Sequence, residues 1–186
     1  MYESEDFKEA FYAEDRKAYN KVAPIITKIF EERNIPINIE ETTDGDRVDI
    51  YLTATTKEDY VYVFEVKDRK EKYTFQRFWD AEEGYNSKEE FKLTKDEKTL
   101  GPGLFIKQKK IQALLQRAGE DKRAFYCVNF PDNVLALWEI NEFTQYGETW
   151  ATFEKYNVHP GNKTKQHCFT LQLHNATFIY RYEGDE

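Results

Sequence analysis

Cysteine is scarce in this chain: two among 186 residues, Cys127 and Cys168, far apart and each inside an apolar, strand-like run. That excludes a disulfide scaffold and predicts two reduced, buried thiols. Long hydrophobic runs are missing as well, none approaching the roughly 18 residues that a membrane-spanning helix needs. The N-terminus, Met1-Tyr2-Glu3-Ser4-Glu5-Asp6, is acidic and has no apolar stretch of the kind a secretion signal carries. The expected location is therefore intracellular and cytoplasmic, and the sequons at Asn162 and Asn175 carry no expectation of glycosylation. An excess of positive charge is also absent. With 35 acidic and 27 basic side chains the formal net charge is -8, which excludes a protein that coats nucleic acid by bulk charge but leaves room for a local basic groove.

What is present is apolar enough to fold. Hydrophobic residues make up 40% and aromatics 16%, which excludes a disordered chain. The length fits a single domain, 1–186, able to bury a core without covalent staples.

The hydrophobic spacing predicts a helix over about 5–34, with Tyr19, Val22, Ile26, Ile29 and Phe30 in one stripe. Pro24 falls off that stripe and could kink or break it, and Asn34 is a plausible stop. The period then falls to two. Ile35, Ile37 and Ile39 predict a strand, Asp44-Gly45 a turn, and Arg47 to Ala54 a second strand. A third follows from Tyr60 to Val66, rich in β-branched and aromatic residues. Residues 69–100 are densely charged with mixed sign and read as an inserted, partly ordered excursion. After Gly101-Pro102-Gly103 the pattern predicts a helix from about Leu104 to Ala118, ended at Gly119. Strands are expected at Ala124–Phe130 and Val134–Ile140, and a terminal hairpin from Cys168–Leu173 and Thr177–Tyr182. The stretch 147–165 has no clear pattern.

One group of residues suggests chemistry. Glu65 and Lys67 are two apart at the end of the third strand, so they share a face. Asp49 lies on the strand expected to be their neighbour. Two such carboxylates repel unless a cation lies between them, and hard oxygen donors suit magnesium or manganese. Such an ion polarises a phosphate and acidifies bound water, and Lys67 could orient that water or balance developing charge. Lys107 and Gln108, a turn before Ile111, border the face of the second helix that must pack on the sheet.

Val48-Asp49, then Glu65-Val66-Lys67 after a hairpin, then a helix with an inward Gln or Lys, resembles the PD-(D/E)XK nuclease superfamily with its restriction-endonuclease-like fold. The resemblance covers roughly residues 14–130, in the order helix, three strands, helix, strand. It implies an α/β fold carrying a charged insertion at about 69–100 and a strand-rich C-terminal extension at about 131–186. It also implies a magnesium- or manganese-dependent nuclease, with DNA the expected substrate. Asp49 and Glu65 would then be metal ligands together with the main-chain carbonyl of Val66, Lys67 the catalytic lysine, and Gln108, or else Lys107, the polar residue of the second helix. The chain is similar in its compact size to phage- or mobile-element-encoded members. A homodimer is a further option, since members that cut both strands usually dimerise. Two departures stand out. Val48 replaces the proline before the aspartate, and neither Asp15 nor Asn20 convincingly supplies the acid that many members carry on the first helix.

Other signals have plainer explanations. Asp46 adjoins Gly45 and reads as a turn residue. His159, His167, Cys168 and His174 match no zinc spacing. The basic run Lys107, Lys109, Lys110 with Arg117 reads as a solvated helix face or, beside a metal site, as phosphate contacts. Tyr73, Phe75, Phe78 and Trp79 read as packing for the excursion rather than a platform for unpaired bases. The alternative to an enzyme is a binding module for nucleic acid or protein that keeps the nuclease fold without catalysis.

Overall fold

The structure, a computed structural model, describes residues 5–43, 50–83, 104–120, 122–140, 150–156 and 163–184. It opens with helix α1 (Glu5–Glu31), whose Ala18, Val22, Ile26 and Ile29 recur every three or four residues and are buried. The helix runs unbroken through Pro24, which is exposed, so the carbonyl of Asn20 that proline cannot bond is open to water. Asn34 takes a left-handed φ of 58° and donates its N–H to the Glu31 carbonyl at 2.8 Å, ending the helix where the sequence suggested.

Strands β1 (Ile37–Thr43), β2 (Ile50–Thr56) and β3 (Val61–Asp68) follow as an antiparallel meander, with Ile39 opposite Ala54 and Thr53 opposite Val63. Helix α2 (Phe75–Glu83), strand β4 (Leu104–Lys107) and helix α3 (Gln108–Ala118) lead to β5 (Lys122–Phe130) and β6 (Val134–Glu139). Strands β7 (Trp150–Tyr156) and β8 (Lys163–Leu171), a short 3-10 turn at Leu173–Asn175, and β9 (Phe178–Arg181) complete the described chain.

The fold is α/β. Six strands form a mixed sheet in the order β1-β2-β3-β5-β6-β9, in which β3 and β5 run parallel and the other pairs antiparallel. A second, antiparallel sheet has the order β4-β8-β7. Apolar side chains cover both faces of the large sheet, as its buried parallel pair requires. On one face Val22, Ile26 and Ile29 of α1 pack on Leu52, Ala54, Phe64, Cys127 and Leu135. On the other, Ile111, Leu114 and Ala118 of α3 and Phe75 and Phe78 of α2 pack on Val63, Tyr126, Val128, Phe130 and Trp138.

Three expectations are corrected. Leu104 does not begin a helix: Leu104–Lys107 is a strand paired with β8, Leu104 opposite Leu171, and the helix starts at Gln108. A short apolar run is ambiguous between helix and strand, and here pairing partners more than 60 residues away decide it. The terminal hairpin does not form. Its first arm lies in β8 of the small sheet and its second, β9, pairs with β6 of the large one, Ala136 opposite Ile179. A 3-10 turn fits local hairpin spacing equally well, and Leu173 beneath it is buried in the main core. Within the charged excursion, Phe75–Glu83 is a packed helix, with Phe75 and Phe78 buried and Tyr73 and Trp79 against the same core. The first amides of α2 are capped from a distance, Phe75 N–H and Gln76 N–H donating to the two oxygens of Asp132 at 2.7 and 3.1 Å. β6 and β9, which the sequence set outside the core, complete the large sheet.

Candidate functional site at the β3–α3 junction

Alternation along β3 sends Phe64 to the α1 side and Val63, Glu65 and Lys67 to the α3 side. Glu65 is 6% exposed, deep for a carboxylate. Burial of a charge is costly unless a partner offsets it. The partner is Lys110, in the first turn of α3, whose Nζ donates to Glu65 Oε1 in a close ion pair. Lys67 lies on the same face and is exposed, with no ion pair among the described residues.

The next strand sets further groups around this carboxylate. Tyr126 stands opposite Glu65 in the parallel β3–β5 register and is 5% exposed. Burial pushes its phenol up to about 12. Glu65 adds to that rise, while Arg69 and Lys110 oppose it. Cys127, opposite Val66, is a free thiol with no exposed surface. Burial first, and then the charge of Glu65, raise it well above the ordinary thiol range. Such a thiol is inert rather than nucleophilic. Arg69, just past β3, donates its main-chain N–H to the Asn129 carbonyl at 2.9 Å, and its buried Nε has no hydrogen-bond partner among the described residues.

The acid that follows, Asp68, faces the opposite side. It accepts from Asn129 Nδ2 at 2.8 Å and from Lys21 Nζ at 3.4 Å, and Tyr182 donates to Asn129 Oδ1 at 2.7 Å. This network ties β3, β5, α1 and the C-terminal segment together and takes no part in the Glu65 cluster.

Of the residues singled out from the sequence, Glu65 and Lys67 share the α3 face of β3, with Val66 between them. Gln108 is the first residue of α3 and half-buried. Lys107 is the residue before that helix and pairs in register with Cys168 of β8. Asp46, Val48 and Asp49 lie outside the described residues, as does His159. The side chains of Asp15, His167 and Cys168 do too, so nothing is added about a first-helix ligand or about the second thiol. His174 belongs to another contact, its Nδ1 2.7 Å from Glu82 Oε1.

Lys110 is the residue that sequence reasoning missed, having counted it with a solvated face. The signal was there: Lys110, Leu114 and Ala118 are four apart, and the last two are buried on the sheet, so a side chain at 110 lies along the same stripe.

Among the described residues no group of three or more His, Cys, Asp or Glu side chains gathers to hold a metal ion. Glu65 alone fits one position of a hard-cation site, being a buried carboxylate that already carries a cationic partner. A fuller donor set depends on Asp49. No helix is long and apolar enough to cross a membrane among the described residues. Comparison with family models, with curated proteins and with solved structures finds no match to this chain.

Proposed function

We propose that the protein is a divalent-metal-dependent nuclease that hydrolyses phosphodiester bonds, with DNA as its substrate. The observation that carries this reading is the pairing, on one face of β3, of a deeply buried Glu65 with an exposed Lys67 two residues on. A strand end built only for solubility has no cause to bury its carboxylate. The arrangement of elements adds support. A helix, an antiparallel three-strand meander, a helix on the opposite face and a strand parallel to β3 are what a restriction-endonuclease-like core consists of. α2 and β4 would be insertions into that core.

In this reading Asp49, Glu65 and the main-chain carbonyl of Val66 hold magnesium or manganese. Such an ion, when bound, withdraws charge from the scissile phosphate and acidifies its water. Lys67, exposed beside the carboxylate, orients the attacking water and offsets charge as it builds on the phosphate. Gln108 approaches from α3 and positions the water or a phosphate oxygen. Asp49 comes one residue before Ile50, the start of the strand hydrogen-bonded to β3.

A panel of linear, circular, single-stranded and junction DNA, with magnesium or manganese and with EDTA, tests the proposal. The expected result is metal-dependent cleavage that falls about a hundredfold or more in Asp49→Ala and Lys67→Ala. No cleavage of any DNA or RNA, or variants that cut as well as the parent, would sink it.

The Glu65–Lys110 pair favours one competing reading, a binding module on the same fold. A carboxylate neutralised from within has no need of metal. Manganese titration separates the two, because only the nuclease reading expects binding that is lost in Glu65→Ala.

A further inference from the structure

We propose that Lys110 is a resident counter-cation of Glu65 which a divalent ion must displace, so that this lysine sets how readily the site loads. The inference rests on the metal-site reading above and concerns its regulation.

The two partners differ in freedom. The Glu65 side chain is 8% exposed and fixed to the middle of the sheet, between strands paired on both sides. The Lys110 side chain is 36% exposed and sits on a long flexible stem, so the ammonium can leave for water while the carboxylate cannot. Lys110 also stands where an ammonium is otherwise disfavoured. The first turn of α3 has no acidic residue, Lys107 precedes it without a side-chain cap, and the exposed amides of a helix start repel cations. Its inward position therefore depends on Glu65. A divalent ion on Glu65 removes that attraction and adds repulsion, and the lysine swings out. Lys67, exposed and without an ion pair among the described residues, stays where it is. The two lysines near the carboxylate thus have different work, one beside the substrate and one competing with metal.

Two ligands that exclude each other on one group are coupled reciprocally, and such couplings usually span about 5- to 150-fold in affinity. Manganese binding is measured by calorimetry on the whole chain for the parent, Lys110→Met, Lys110→Arg, Glu65→Gln and the double variant Glu65→Gln/Lys110→Met. Melting is followed with and without manganese. The expected result is affinity about 5- to 150-fold tighter in Lys110→Met, near the parent's in Lys110→Arg, and lost in both variants with Gln at 65. Lys110→Met should melt lower than the parent without metal, since it leaves a buried charge uncompensated, and should gain more from manganese. If Lys110→Met is unfolded without metal, manganese should restore its folded circular dichroism, and failure to do so overturns the proposal. Parent binding that depends on Glu65 but is unchanged or weaker in Lys110→Met also overturns it, and leaves the metal site standing. Absence of binding in both the parent and Lys110→Met overturns the gate and the metal site together.

Discussion

At the scale of single residues, the cluster around Glu65 has consequences that need no assumption about function. Tyr126 is neutral in the fold and resists ionisation up to about 12, whereas an unfolded phenol ionises near 10. Its contribution to stability is therefore complete below pH 10 and is lost as pH rises from about 10 toward 12, because the unfolded chain releases the proton first. Urea denaturation along that range should show stability falling with pH, and Tyr126→Phe should flatten the decline. An unchanged slope would mean that other groups, Cys127 among them, account for it. On the opposite face, Asn129 has no exposed surface and relies on Tyr182 for one of its bonds. Tyr182→Phe should cost about 1–3 kcal/mol, the usual penalty for stranding a buried polar group, read from the urea midpoint. Glu65 and Lys67 were legible in the sequence because a period of two needs only a strand to become a shared face. Lys110 was overlooked because the sequence shows that a lysine lies near an apolar stripe but not that a carboxylate waits across the gap.

Elements were legible where the local pattern was strong and its partners lay nearby. The stripe of α1 and the β1–β3 meander form as the spacing implied, since each strand pairs with its neighbour in the chain. Legibility failed where distant pairing decides. Leu104–Lys107 becomes a strand only because β8 lies alongside it, and β9 joins β6 rather than its sequence neighbour. Helix α2 is the third case. Its dense charge hid a helix start that is completed from the β5–β6 turn, by Asp132. Its end is pinned likewise by Glu82, which accepts the Leu173 and His174 main-chain N–H groups at 2.6 and 2.9 Å, while Trp79 stacks on the His174 ring at 4.2 Å. Asp132→Ala removes two bonds to the first amides of α2 and should cost about 1 kcal/mol, within a usual span of about 0.5–2. Hydrogen exchange should quicken first in Phe75–Glu83. Faster exchange across α1 instead would show that the turn supports the sheet and not the helix.

Across the whole molecule, one sheet serves two cores. β3 gives Val63 to the α3 side and Phe64 to the α1 side, and β5 gives Val128 to one and Cys127 to the other. Neither helix layer can lose its footing without disturbing strands that the other needs, so the described sheet and both layers should unfold together. The candidate site depends on this coupling, since Glu65 comes from β3 and Lys110 from α3, and their meeting requires the α3 layer to stay seated. Leu52→Ala deletes a fully buried side chain on the α1 side, and Leu114→Ala does so on the α3 side. Each should cost about 2–5 kcal/mol, the range found for large-to-small changes in packed cores. The sharper expectation is shared failure: in either variant, exchange protection of α1, β3, β5 and α3 should fall by the same free energy, because in each case the route to exchange is opening of the common sheet. Loss of protection confined to α1 in Leu52→Ala, or to α3 in Leu114→Ala, would show two separable layers. The Glu65–Lys110 contact could then come apart while the rest of the molecule stays folded.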